Sequence, residues 1–210
     1  MVEGNDKSES AMRAKLISVD VSTEEAEKTA QVYVIEDIQN MGEYLNLHER
    51  VSKKQQTLTN DGIILSEKLA TLLGVEEGDN VTLKISDTKR SEMLVTGIVE
   101  NYMYHYIYMT PAGYEEAFGK TTEYNQIFYK FADGIESNEQ QKIAEYLLGK
   151  EMILSVTLVE EIQKAVDDMM NALNLVVWVL IISAGLLVFV VLFNLNNINI
   201  SERRRELASL

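Results

Sequence analysis

The chain has 210 residues, 46% of them hydrophobic and 25% charged, with a formal net charge of −14. Such an acidic balance excludes a nucleic-acid-binding surface and adhesion to anionic lipid as its main business. The absence of cysteine excludes disulfides, thiol nucleophiles and thiolate metal sites. No internal repeat and no low-complexity linker is present, and the length suits one ordinary domain plus a membrane span.

Residues 1–14 are polar and are expected to be frayed. Residues 15–21 and 30–36 read as strands, because β-branched residues partly alternate there, with a turn or one helical turn at 22–27 between them. A short helix is expected at 37–44 and a polar loop at 48–60. Ile63, Ile64 and Leu65 form a strand. Ser66 is placed to cap a helix that buries Leu69, Ala70, Leu72 and Leu73, and Gly74 is placed to end it in the left-handed conformation. Gly78, Asp79 and Asn80 read as a turn. Val81, Leu83 and Ile85 then alternate as a strand. A turn at 87–90 leads to another strand at 93–99.

Tyr102, Tyr104, Tyr106 and Tyr108 alternate with Met103, His105, Ile107 and Met109. Period two predicts a strand with four tyrosines on one face. Two uses of that face stay open. The phenols cover the core or a neighbouring lobe, or they form an aromatic face that binds a peptide, a lipid or a partner chain. Thr110 and Pro111 open a helix that runs to Phe118 and closes at Gly119. A strand at 126–131, an amphipathic helix at 137–148 and a strand at 152–157 follow. The fold class is α+β: a mixed-sheet domain followed by one long helix.

That helix is predicted to begin at a capping box, Thr157 to Glu160. Leu158, Ile162, Ala165, Val166, Met169, Met170 and Leu173 recur at helical spacing. From Met169 to Ser201 there is no Asp, Glu, Lys or Arg. Of the 23 residues at 173–195, 17 are Leu, Ile, Val or Phe. As a helix they extend about 35 Å, enough to cross a hydrocarbon core of about 30 Å. The partition is therefore 1–157 as an extracytoplasmic domain, 158–171 as an amphipathic stalk, 172–196 as the transmembrane helix and 197–210 as a cytoplasmic segment. Arg203, Arg204 and Arg205 just past the span mark the inside, so the C-terminus is cytoplasmic and the acidic domain is outside. Met1 opens no signal peptide, so the chain reads as a piece of a longer polypeptide that carries an earlier membrane span.

Catalytic constellations are lacking. His48 and His105 lie far apart with no metal-type spacing, and there is no G-x-S-x-G and no phosphate-binding glycine loop. No catalytic, cofactor-binding or metal-ligating residue is expected, and no enzyme. His105 reads as a packed or interface residue. Ser201 to Leu207 reads on charge as a stop-transfer anchor, or as a short charged helix offered to a cytoplasmic protein.

The segment Asn196 to Ala208 resembles the stretch after the second transmembrane helix of FtsX/MacB-type ABC transporter permeases. Ser201, Glu202, Arg203, Glu206 and Leu207 match the pattern Ser/Thr-Glu-Arg, two residues, Glu, Ile/Leu. Asp61 to Ala70, Leu73-Gly74-Val75 and Gly78-Asp79 are similar to the extracytoplasmic core domain of these permeases. Glu100-Asn101-Tyr102 through Tyr108-Met109 looks like versions of that domain from Gram-positive bacteria. The resemblance implies a cell-membrane permease subunit that couples ATP hydrolysis by a separate cytoplasmic ATP-binding subunit to movement of the outer domain, of an export or envelope-stress and antimicrobial-resistance type. It implies that subunit, a second permease half or a homodimer, and the lipid bilayer as partners, with Ser201, Glu202, Arg203, Glu206 and Leu207 at the ATPase contact. The alternative is a membrane-bound sensor with an extracytoplasmic ligand-binding domain.

Overall fold

The structure is a computed structural model that describes residues 8–86 and 89–207. The polar residues 1–7, the centre of the expected turn at 87–88, and Ala208 to Leu210 lie outside the described residues. The chain divides into two compact units, the first ending at Ile135 and the second beginning at Glu136.

The first unit is a mixed sheet with two short helices. A long strand β1 (Ser8–Ser22) turns back into β2 (Glu27–Ile35) with antiparallel register, Val19 opposite Ala30. β1 thus begins well inside the stretch expected to be frayed. Its apolar residues Met12 and Ala14 are buried, and burial of that kind orders a segment whose composition is otherwise polar. Next come β3 (Gly62–Ser66), α1 (Glu67–Leu73), β4 (Asn80–Ser86), β5 (Lys89–Val99), β6 (Tyr106–Met109), α2 (Pro111–Phe118) and β7 (Gln126–Phe131). The strand order is β2-β6-β3-β5-β4-β1-β7, and β1 also pairs with β2. Six strands therefore close into a ring, with β7 added to the N-terminal part of β1.

Two apolar cores sit on the two faces of this sheet, and alternation assigns residues to them. Ile63 and Leu65 of β3 join Val32, Val34, Leu83, Ile107, Met109, Leu69 and Phe118 in the first. Ile64 between them faces the second, with Ile35, Val99, Tyr108, Met41, Leu47 and Leu58. The second core is covered by the segment between β2 and β3. The helix expected at 37–44 is only a 3₁₀ turn, Met41–Glu43. Asp37 competes for the backbone there, accepting from the N–H groups of Gln39 and Asn40.

Helix ends follow the sequence closely. Gly74 (φ +68°) and Gly119 (φ +58°) close α1 and α2 in the left-handed conformation. Thr110 caps α2, its hydroxyl accepting from Gly113 N at 3.0 Å and donating to Asn60 Oδ1 at 2.8 Å. Gly62 is required for a different reason. A Cβ there would stand 2.4 Å from Leu94 O, where β3 and β5 run parallel.

The second unit contains α3 (Ser137–Leu148) and α4 (Val159–Leu207), the latter 49 residues long. The strand expected at 152–157 is absent. Those residues are irregular, with Met152 and Leu154 almost fully exposed, and among the described residues they join no strand ladder. The predicted capping box does not start the helix, which begins at Val159. The carboxylates of Glu160 and Glu161 instead accept from Ser137 Oγ at 2.7 Å and Gln141 Nε2 at 3.0 Å, tying α4 to α3.

Candidate interaction surface

The tyrosine row is not one strand. Only Tyr106 and Tyr108 lie in β6, while Tyr102 and Tyr104 stand in the loop before it. Asn101 breaks the pleat by accepting from Met103 N at 2.9 Å, and Tyr104 takes a left-handed φ of +59°. The period-two pattern at 102–105 is therefore compositional, since a left-handed residue reverses the chain and cancels the alternation.

The four rings separate accordingly. Tyr108 is 5% exposed. Its ring stacks on Tyr33 at 6.1 Å and lies beside Tyr106, while Tyr33 also meets Phe128. Burial pushes the Tyr108 hydroxyl up to about 12. Tyr106 and Tyr108 thus pack the second core. Tyr102 and Tyr104 are 74% and 67% exposed, with Met103 open between them. Their neighbours Ile107 and Met109 face the first core, as the alternation within β6 requires.

The exposed loop is anchored by a polar cluster. The Glu100 carboxylate, 13% exposed, accepts from three donors. Lys53 Nζ at 2.7 Å and His48 Nε2 at 2.8 Å share one oxygen, and the Tyr102 hydroxyl donates to the other. Hydrogen bonds from Lys53 and Tyr102 hold the carboxyl at about 2. His48 and Lys53 belong to a tight hairpin in the segment covering the second core, where His48 bridges Gln55. Arg50 at its tip binds both carboxylate oxygens of Glu67, on the first turn of α1, at 2.9 Å. Arg50, Glu67, Lys68, Thr71, Leu72, Asn101 and Tyr102 line a shallow groove there. Val51, next in the chain to Arg50, is 85% exposed.

This cluster was not legible in the sequence. Residues 48–60 read as an undifferentiated polar loop, and His48 as a histidine with no metal-type spacing to His105. The density of charge in His48-Glu49-Arg50 and Lys53-Lys54 was the available signal. The partner Glu100, 52 positions along from His48, was not. His105, expected to be a packed or interface residue, is half-buried, and its carbonyl accepts from Gln31 N at 2.8 Å where β6 joins β2.

The other candidate positions lie at the far end of α4. Ser201, Glu202, Arg203, Glu206 and Leu207 occupy its last two turns, continuous with the apolar helix, and Arg203 is exposed. The helix is long and apolar enough to cross a membrane, and its large apolar side chains at 173–195 are exposed on every side of it. A helix of that kind is suited to lipid.

No family model and no curated protein matches the chain. Solved structures do. The extracellular domain of the noncanonic ABC-type transporter YknZ from Gram-positive bacteria matches at 15% identity and a TM-score of 0.49, over 68% of this chain and 74% of that one. The periplasmic region of MacB from Actinobacillus actinomycetemcomitans matches at 17% identity and a TM-score of 0.49, over 79% of each chain. A domain of a putative permease protein from Porphyromonas gingivalis matches at 16% identity and a TM-score of 0.43, over 72% of this chain and 65% of that one. The chain is thus similar to an extracellular domain of an ABC-type transporter, a periplasmic region and a domain of a putative permease.

Proposed function

We propose that the chain is the extracytoplasmic domain and adjoining membrane helix of an ABC transporter permease subunit, which works with a separate cytoplasmic ATP-binding subunit. The observation that carries this reading is the single helix Val159–Leu207. At about 1.5 Å per residue it is roughly 73 Å long, more than twice a hydrocarbon core of about 30 Å. It joins the charged stretch 160–168 to the span without a break, and it ends in Ser201, Glu202, Arg203, Glu206 and Leu207, the residues that carry the sequence resemblance.

In this reading residues 1–157 lie outside, 158–171 form the stalk, 172–196 cross the cell membrane and 197–210 meet the ATP-binding subunit. The cytoplasmic side is assigned by Arg203, Arg204 and Arg205. Work done on the cytoplasmic segment would reach the outer side along the helix axis, because bending a helix sharply breaks backbone hydrogen bonds. The subunit itself then needs no catalytic residue.

The test is co-purification. Arg203→Glu in the full-length protein should still insert, because Arg204 and Arg205 remain, and should lose the ATP-binding subunit. Removing one member of a buried interfacial charge pair costs about 2–5 kcal/mol. Retention of the subunit at wild-type levels would exclude the docking role.

A further inference from the structure

We infer that Glu100 is a latch that joins the tip of the 48–54 hairpin and the exposed tyrosine loop 101–105 into one opening unit. Three ties converge on its carboxylate from two separate segments. His48 and Lys53 reach one oxygen from the hairpin, and Tyr102 reaches the other from the loop. A fourth tie runs through the backbone, where Glu100 N donates to His48 O at 2.8 Å.

The local backbone makes the two segments dependent on those ties. Among the described residues, the non-glycine residues with positive φ are Lys53 (+57°) and Tyr104 (+59°), one in each segment. A side chain in the left-handed region is disfavoured, and such residues persist only where the surroundings hold them. Lys53 is held from both ends, its N–H on Glu49 O at 3.1 Å and its ammonium on Glu100. Tyr104 is held by its ring, which meets Tyr106 edge-on at 6.2 Å. The turn at Asn101 to Met103 and the Tyr102 hydroxyl precede it, and β6 begins two residues later. The hairpin is also tied by Arg50 to Glu67, an exposed pair, and by Glu49, whose carboxylate accepts from Gln56 Nε2 at 2.7 Å.

The consequence is coupling. Tyr102, Met103 and Tyr104 are displayed only while the hairpin is seated, and unseating the hairpin leaves Glu100 with one donor in place of three. Because the hairpin belongs to the segment covering the second core, the exposed aromatic surface reports whether that cover is closed.

Hydrogen exchange on the full chain in lipid nanodiscs tests this. Glu100→Ala should raise amide exchange in both 49–54 and 101–105 by about tenfold, the weight of a lost charge-assisted hydrogen bond. Amides of β3 and β5 should keep their protection. Tyr102→Phe deletes only the loop's tie and leaves Lys53 and His48 on Glu100. Under the latch it nonetheless raises exchange in the hairpin, and it serves as the test if Glu100→Ala does not fold. A rise confined to 101–105 in Tyr102→Phe, or no change in 101–105 in Glu100→Ala, overturns the inference.

Discussion

The Ser66 hydroxyl accepts from the backbone N–H of Tyr106 at 3.1 Å. Ser66 stands at the N-cap of α1 with extended backbone angles, as the sequence indicates, but its side chain makes no bond to the helix it precedes. It is fully buried and closes the ladder where β6 begins. A serine that merely capped would be replaceable by Asp or Asn, which are equally good caps.

Ser66→Ala therefore leaves the Tyr106 N–H without its partner, at a cost of about 1–3 kcal/mol. The apparent Tm of the chain in detergent should fall by several degrees. Ser66→Asp should fall at least as far, because it buries a charge. A Ser66→Asp variant as stable as wild type would show that capping, not the bond to Tyr106, is what Ser66 supplies.

Gly62→Ala should be more damaging than any surface change of its size. The new Cβ would meet Leu94 O at 2.4 Å and Thr96 Cγ2 at 2.5 Å, and the first of these is backbone. Relief requires β3 and β5 to separate where their parallel register is already irregular, between Ile63 and Ile64. Overpacking in a well-packed interior costs about 1–3 kcal/mol, and a backbone obstacle puts this case at the upper end. Gly74→Ala gives the control, since space around Gly74 is open and the alanine meets only the strain of a positive φ. Thermal unfolding should rank Gly62→Ala below Gly74→Ala, and the reverse order would show that β3 and β5 yield easily.

The parts of the fold legible in advance are those specified locally. The strands of the first core, the helix stops at Gly74 and Gly119, the Thr110 cap, and the spans of β7 and α3 all rest on neighbours within a few residues. The errors share a cause as well. The tyrosine row, the strand at 152–157 and the capping box each satisfied a local pattern, and each was decided by a distant or competing partner. Asn101 turned the chain at the tyrosines. Among the described residues 152–157 join no strand ladder, and α3 took Glu160 and Glu161. The closure of β1 onto β2 and β4, and the meeting of His48, Lys53 and Tyr102 on Glu100, depend on pairings across the whole unit that no window of sequence contains.

Glu100 should titrate far below an ordinary glutamate. Its folded value of about 2 lies below the usual carboxylate range, so the ionised form is favoured by folding. The stabilisation is present above the unfolded value and is lost as pH falls through about 2. The latch should stay closed at pH 4, where most surface carboxylates have begun to protonate. Carboxyl chemical shifts in a ¹³C-glutamate sample, with Glu100→Gln to assign the resonance, measure it directly. A midpoint near 4.5 would mean that Lys53 and Tyr102 do not bind the carboxylate as a unit.

The helix prediction concerns Asp167 and Asp168, which lie between the α3 contacts at Glu160 and Glu161 and the first residues of the span. Replacing the pair by Gly-Pro removes one backbone hydrogen bond and places the proline ring against the carbonyl four residues earlier. A proline in a helix interior costs about 3 kcal/mol or more and kinks the axis. Insertion should be unaffected, because the residues at 173–195 that favour lipid are untouched. Binding of an ATP-binding subunit should also survive, since Ser201 to Leu207 are several turns away. Transmission is what should fail. With a spin label at Lys142 of α3 in the full-length protein, ATP-driven changes in its distance from a relaxing agent in the lipid headgroups should be reduced or lost in the variant, and transport-linked activity with them. A variant that keeps both would show that α4 anchors the outer domain without conveying motion to it, and the rigid-stalk reading would fall while the membrane span and the ATPase contact stood.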